Sequence, residues 1–158
     1  MEDLDDTVKH IRTVIFGLDA GRPGGEGLRD QVIALLREAA GALGFTPHAT
    51  FDGPVDTVVE KRTGAELLAT LREALSNVAR HAGAHRVDVE VEVQPAAGGD
   101  VVLRVRDDGK GIPEDAGGRG YGLRNMAERA ERLGGRCSVA PADGGGTLVE
   151  WRVPAKAT

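Results

Sequence analysis

The chain has 158 residues, of which 41% are hydrophobic and 3% aromatic, and a net charge of −5 at neutral pH. This predicts one domain with a short extension and a core of Val, Leu and Ala. The negative charge argues against a nucleic-acid partner, and the single cysteine, Cys137, excludes an internal disulfide bond. The sequence contains no long apolar run and no signal-peptide pattern, so we expect a cytoplasmic chain that makes no membrane contact.

The N-terminal part of the chain predicts two helices separated by a break. Apolar residues recur at helical spacing from Met1 to Leu18, and the stretch Asp19–Gly27 is rich in Gly and Pro. A second helix is predicted from Leu28 to Leu43, with Gly44 as its C-cap. Phe45–Phe51 is then predicted to be a strand.

The remaining chain predicts strands that pair as hairpins, with helices in separate blocks. The predicted elements are a helix over Gly64–Ala82, strands over Arg86–Val93 and Val101–Arg106, a helix over Leu123–Leu133, and a hairpin of Arg136–Ala140 with Thr147–Val153. This pattern predicts an α+β fold: a two-layer sandwich of one mixed, mostly antiparallel sheet with helices packed on one face.

The stretch after the strand Val101–Arg106 has the pattern D-x-G-x-G. The Asp107 carboxylate can accept a hydrogen bond from an exocyclic amine, and Gly109 and Gly111 lack the Cβ atoms that would hold a planar ring away. Viewed alone, the motif is more typical of an Asp-Gly turn.

The predicted helix Gly64–Ala82 has a polar face opposite its apolar stripe. Glu73 and Asn77 lie one turn apart on this face, followed by Arg80 and His81. An amide oxygen such as that of Asn77 is a suitable ligand for Mg²⁺, and Glu73 can hold a metal-bound water or accept a proton. The alternative is a solvated polar face.

Two further glycine-rich stretches flank the last helix. Gly117–Leu123 opens the helix with Gly120 and Gly122, and free N–H groups at a helix start can hold phosphate oxygens. The stretch is no P-loop, and a mobile loop with a helix cap is its alternative. In the last hairpin, the Thr147 hydroxyl can bridge to a carboxylate such as Asp107.

These four elements, in this order, resemble the ATP-binding fold of sensor histidine kinases, which gyrase B, Hsp90 and MutL share (the GHKL superfamily). The resemblance covers roughly residues 45–154. Within the superfamily, EALSNVARHAGA and GLRNMAERAERLGG are most similar to the nitrate/nitrite-sensor type of two-component kinase, and actinobacterial redox or hypoxia sensors are of this type. Val8–Leu18 resembles the end of that family's second dimerisation helix.

For the base of ATP, the resemblance implies a pocket built on the D-x-G-x-G stretch. Asp107 would bind the adenine amine, and Gly109 and Gly111 would line the base. Thr147 would assist through Asp107 or through water.

For the phosphates and the metal, the resemblance implies that Asn77 coordinates Mg²⁺ and that Glu73 orients water or helps to activate the acceptor. Backbone amides around Gly120 and Gly122 would hold the phosphates. The remaining predicted nucleotide contacts are Leu123, Arg80 and His81.

The resemblance further implies a protein-histidine kinase that transfers the γ-phosphoryl group of ATP to a histidine on a dimerisation domain absent from this chain, for relay to a response regulator. Residues 1–20 would be the end of a dimerisation helix, 21–27 a linker and 28–158 the catalytic domain. The full-length protein is expected to be a homodimer.

Two departures from the family pattern shape the expected activity. Pro113–Arg119 is short for an ATP lid and contains no phenylalanine, so we expect weak affinity for ATP. His10 is followed by Ile11 instead of an acidic residue, so we expect that the chain cannot phosphorylate itself.

Two other functions remain open at this point. One is an anti-sigma-type serine kinase switch on the same fold, which would leave the Met1–Leu18 helix without a use. The other is a nucleotide-responsive binding module without phosphoryl transfer. Dimerisation helices supplied in trans would distinguish this module from a kinase, because the module would form no phosphohistidine.

Overall fold

The computed structural model describes residues 27–94, 99–110 and 121–155. The helices are α1 (Leu28–Leu43), α2 (Val55–Val58), α3 (Lys61–Asn77) with a π-helical turn at Val78–Ala82, and α4 (Tyr121–Arg132). The strands are β1 (His48–Asp52), β2 (Val87–Gln94), β3 (Asp100–Asp107), β4 (Arg136–Pro141) and β5 (Thr147–Pro154).

The five strands form one sheet in the order β1-β2-β3-β5-β4. β1 runs parallel to β2, and all other neighbours are antiparallel. The sheet is therefore mixed and mostly antiparallel, which confirms the predicted α+β class.

The core lies between one face of the sheet and the helices. The period-two alternation of β2 and β5 points every second side chain inward, and Trp151 on β5 is completely buried. The apolar stripe of α3 packs on this face through Leu67, Leu71 and Leu75. Among the described residues, no helix combines the length and hydropathy needed to cross a membrane.

Element boundaries differ from the predictions where distant partners decide them. β1 begins at His48, later than Phe45, because its parallel partner β2 supplies pairing only from Asp88 onward. α3 begins before Gly64 because the Glu60 N–H donates to the Ala155 carbonyl at 2.9 Å, which anchors the helix start to the end of β5. The short helix α2 was not predicted.

The opposite face of the sheet carries a charged network around Arg104. Its guanidinium donates to Glu92 and Glu150 at 2.9 Å and to Glu90 at 3.2 Å. Partial burial lowers the pKa of Arg104. The hydrogen bonds and charges of the three glutamates raise this pKa by a larger amount, so the net shift is upward. Glu90 and Glu92 of β2 and Glu150 of β5 thus pair with a single arginine across the strands.

Cys137 on β4 packs against the core, and burial raises the pKa of its thiol to about 11. At pH 8 only about one thousandth of the thiol is then ionised, whereas an exposed cysteine has a pKa near 8.5. We expect an aromatic disulfide reagent to label native protein roughly 100-fold more slowly than urea-unfolded protein. Equal rates in the two states would contradict this placement.

Candidate functional site

Three strands bring their ends together at one edge of the sheet. Asp107, the last residue of β3, pairs with Val87 at the start of β2 and with Thr147 at the start of β5. The D-x-G-x-G stretch and the G-x-G-T stretch, far apart in the sequence, therefore meet at this edge.

Asp107 is a buried carboxylate at this edge, with 5% of its surface exposed. The Gly109 N–H donates to its Oδ1 at 2.8 Å, and the backbone of Thr147 provides a second hydrogen bond. Burial raises the pKa of Asp107, and these two hydrogen bonds oppose the rise. A carboxylate has about four acceptor positions, so Asp107 can accept further hydrogen bonds from a ligand.

The hairpin loop before Thr147 packs directly on the Asp107 backbone. Gly146 has φ +92°, and a Cβ atom placed on it would overlap the Asp107 carbonyl oxygen and lie 2.9 Å from Cα of Asp108. Thr147 itself is buried. Its predicted contribution to Asp107 was through the hydroxyl, and the contact seen here comes from its backbone.

The polar face of α3 ends beside this edge. Glu73 and Asn77 are half-buried, and Asn77 is the last α-helical residue. Arg80 is exposed and donates to the Ser76 hydroxyl at 2.9 Å, which directs its guanidinium back along the helix. The side chain of His81 lies outside the described residues.

The π-helical turn Val78–Ala82, which follows Asn77, was not predicted from the sequence. π-Helical turns are rare in proteins, and those that occur frequently lie at functional sites. Ordinary helical periodicity continues through these residues, so only the hydrogen-bond pattern distinguishes the turn.

Helix α4 runs antiparallel to α3. α3 begins at the Ala155 end of β5, and just beyond the end of α4 Gly135 packs against the backbone of Arg152 on the same strand. Glu66 near the start of α3 accepts from Arg129 near the end of α4 at 2.9 Å. The end of α3 and the start of α4 therefore both face the sheet edge that holds Asp107.

The predicted phosphate-holding residues divide between described and undescribed parts of the chain. Gly122 and Leu123 lie in the first turn of α4, where backbone N–H groups have no helical acceptor. Gly111, Gly120 and the short lid fall outside the described residues.

The donor set at the end of α3 fits a magnesium ion that is bound partly by phosphates and water. Mg²⁺ usually keeps several water molecules and takes few protein ligands. The half-buried amide of Asn77 and the carboxylate of Glu73, one turn away, can provide those few ligands. Among the described residues, no group of three or more His, Cys, Asp or Glu side chains could hold a metal ion. Asn77 and Glu73 are therefore suited to a metal delivered with a nucleotide.

The fold and this sheet edge define a nucleotide-binding ATPase domain, and the comparisons with known proteins agree. The model of histidine kinase-, DNA gyrase B-, and HSP90-like ATPases matches residues 63–157, and the chain belongs to this family. Within the family it resembles the ATP-binding catalytic domains of sensor histidine kinases.

Three relatives show the resemblance to sensor kinases. Sensor histidine kinase LiaS of Bacillus subtilis is 38% identical over 98% of this chain and 46% of its own length. Nitrate/nitrite sensor proteins NarQ and NarX of Escherichia coli are 44% identical over 52% of this chain and 14% of NarQ, and 36% identical over 78% of this chain and 20% of NarX. The chain spans less than half of each relative.

Solved structures show the same fold. The histidine kinase domain of the blue-light activated kinase EL346 from Erythrobacter litoralis aligns over 82% of this chain and 61% of its own, with a TM-score of 0.64 and 24% identity. The ATP-binding domain of PrrB from Mycobacterium tuberculosis aligns over 81% and 93%, with a TM-score of 0.62 and 23% identity. The resemblance to the nitrate/nitrite-sensor type is thus confirmed, and the one to actinobacterial redox or hypoxia sensors stays a prediction.

Proposed function

We propose that the chain binds ATP with Mg²⁺ and transfers the γ-phosphoryl group to a histidine on the dimerisation domain of its own full-length protein. A response regulator would then receive the phosphoryl group. The observation that carries the proposal is the buried Asp107 carboxylate, which keeps acceptor capacity at the sheet edge faced by α3 and α4. Such a group suits an exocyclic amine that is removed from water.

The proposed base pocket consists of Asp107, Gly109, Gly111 and Thr147. Gly109 and Thr147 fix the orientation of the carboxylate through their backbone hydrogen bonds. Asp107 then accepts from the adenine amine, and the two glycines leave room for the ring.

The proposed phosphate side lies between α3 and α4. The N–H groups at the start of α4, with Gly120, Gly122 and Leu123, hold the phosphate oxygens. Asn77 holds the metal, which when bound neutralises phosphate charge. Glu73 orients a water molecule or the acceptor.

Arg80 and His81 complete the proposed nucleotide contacts. Arg80 is exposed and held along α3 by Ser76, so its guanidinium would have to leave this contact to reach a phosphate. Its contribution to binding is therefore expected to be smaller than that of Asn77.

For the rest of the protein, we propose that residues 1–20 end a dimerisation helix, that 21–27 form a linker and that 28–158 form the catalytic domain. We further propose that the kinase region is homodimeric and cytoplasmic, and the proposal is supported by the likeness of the chain to sensor kinases. An anti-sigma-type serine kinase would instead form phosphoserine, and a binding module would retain ATP without transfer.

The test of this proposal is phosphoryl transfer in trans. We expect that γ-labelled ATP, this chain and separately supplied dimerisation helices of its full-length protein form acid-labile phosphohistidine when Mg²⁺ is present. Replacing Asn77 by alanine is expected to lower transfer about 100-fold, because the metal loses its protein ligand. Gln31→Ala, which removes an exposed amide on α1, serves as the matched control.

Two outcomes would contradict the proposal. Phosphoserine without phosphohistidine would favour the serine kinase, and ATP binding without any transfer would favour the binding module. Equal transfer by Asn77→Ala and wild type would remove Asn77 from the metal site.

A further inference from the structure

Asp108 follows the proposed adenine-binding carboxylate and makes a set of contacts that no binding role explains. Its Oδ1 accepts from two consecutive backbone N–H groups, those of His85 at 2.7 Å and Arg86 at 2.9 Å. Its own backbone N–H donates to the Arg86 carbonyl at 3.2 Å. The side chain is exposed, so these bonds form at the surface of the molecule.

These bonds join the two halves of the proposed site. The D-x-G-x-G stretch, on the base side, begins at Asp107. Residues 83–86 lead out of the π-helical turn Val78–Ala82, which continues directly from Asn77 on the metal side. Nearby, a Cβ atom on Gly83 would lie 4.0 Å from Cε of Lys110, so the two stretches remain side by side beyond Asp108.

Sheet pairing alone does not fix this junction. The ladder between β2 and β3 ends at the pair Val87 and Asp107, so His85 and Arg86 lie beyond it. A π-helical turn is less favourable than a continued α-helix, and such a turn persists where the surroundings hold it. Asp108 fixes the chain at His85 and Arg86, shortly after the turn ends at Ala82.

We propose that Asp108 is a positioning residue that locks the π-helical turn after Asn77 to the base pocket, and so sets the direction in which Asn77 meets the metal. This inference rests on the proposed function, since it assumes that Asn77 holds Mg²⁺ delivered with ATP. Asp108 acts through the backbone of His85 and Arg86 and touches neither ligand.

The electrostatics of Asp108 support the same arrangement. Hydrogen bonds from the His85 and Arg86 backbone are the main causes that hold the pKa of Asp108 below its usual range. The carboxylate is therefore ionised at neutral pH, and its hydrogen bonds are charge-assisted.

The test compares nucleotide affinity with and without metal. Binding of a non-hydrolysable ATP analogue is measured by calorimetry in Mg²⁺ and in EDTA for wild type, Asp108→Ala and Asp108→Asn. We expect Asp108→Ala to reduce the enhancement of affinity by Mg²⁺ about tenfold, as other indirect supports of metal ligands do. Affinity in EDTA should change less than twofold.

Asp108→Asn should restore the enhancement to within about twofold of wild type, because both hydrogen bonds end on a single oxygen that an amide also provides. Amide hydrogen exchange gives an independent readout: the His85 and Arg86 amides should exchange faster in Asp108→Ala than in Asp108→Asn. Glu131→Ala, an exposed acid on α4, controls for the lost charge.

The outcomes separate this inference from the proposed function. If wild type binds the analogue without any effect of Mg²⁺, the proposed metal site is wrong and the inference is wrong with it. If Mg²⁺ strengthens binding equally in wild type and Asp108→Ala, the metal site stands and Asp108 has no positioning role. An equal loss in EDTA and in Mg²⁺ would likewise overturn the inference, since it indicates general disruption.

Discussion

Replacing Asp107 by asparagine is expected to weaken ATP binding about 100-fold, which corresponds to about 3 kcal/mol, and to leave the fold intact. In the wild type, Gly109 donates to Oδ1 of Asp107. An asparagine that keeps this bond with its amide oxygen would turn its NH₂ group towards the adenine amine. Two donors would then face each other in a buried place, which leaves both without a partner.

Stability of the nucleotide-free protein should move in the opposite direction. Burial raises the pKa of Asp107, so folding favours the protonated form over the ionised form. The contribution of this group to stability is therefore fully present below its unfolded pKa and is lost as the pH rises through its folded pKa. At pH 7 the ionised carboxylate carries a penalty that a neutral amide lacks, so the melting temperature of Asp107→Asn should be equal or higher.

The measurements are calorimetric titration and thermal denaturation of both proteins. The titration should extend to millimolar nucleotide, because the short lid predicts weak affinity. Asp52→Asn makes the same chemical change at an exposed position on β1 and should alter neither result. Equal binding by Asp107→Asn and wild type would mean that Asp107 is only a turn residue, and the proposed adenine pocket would be wrong.

Replacing Gly146 by alanine is expected to be among the most damaging single-methyl changes in the hairpin. Its φ of +92° already disfavours alanine by about 1–2 kcal/mol. In addition, the new Cβ atom would overlap the Asp107 carbonyl oxygen and lie 2.7 Å from its carbonyl carbon. The backbone of β3 cannot move away without breaking its pairing with β5, so we expect a further loss of roughly 2–3 kcal/mol.

Gly145 provides a matched control in the same loop. Its φ is +111°, but a Cβ atom there would meet no other atom within 4 Å. Gly145→Ala should therefore show only the backbone cost. Denaturant unfolding, followed by the fluorescence of Trp151, measures both variants. Equal losses would show that the close approach to Asp107 does not determine stability.

The sequence predicted the regular elements well because their signals are local. Leu28–Leu43 was predicted with the bounds that the structure has, since its apolar spacing and the αL glycine that ends it lie in one continuous stretch. The strand over Arg86–Val93 was predicted in the same way, and it corresponds to β2, whose alternating valines are buried. The start of β1 was placed too early because it depends on a partner strand.

The sequence predicted which residues belong to the candidate site, but it did not predict the contacts that hold them together. Asp107 and Thr147 were linked through a hydroxyl, whereas the contact seen comes from the backbone. Nothing in the sequence indicated that Asp108 would accept from His85 and Arg86. Each of these contacts joins residues that are distant in the chain, so no local pattern records them.

By itself, the sequence determined the fold class through its periodicity, and the order of its motifs carried the resemblance to the family, because both are properties of the chain. Only the tertiary structure decided how these motifs meet: the sheet register brings Asp107 to Thr147, and the antiparallel helices bring the end of α3 and the start of α4 to the same edge. Burial also raises the pKa of Asp107 only once the strands have packed. The physical reason is that packing, and the removal of water that follows, depend on contacts between residues far apart in sequence.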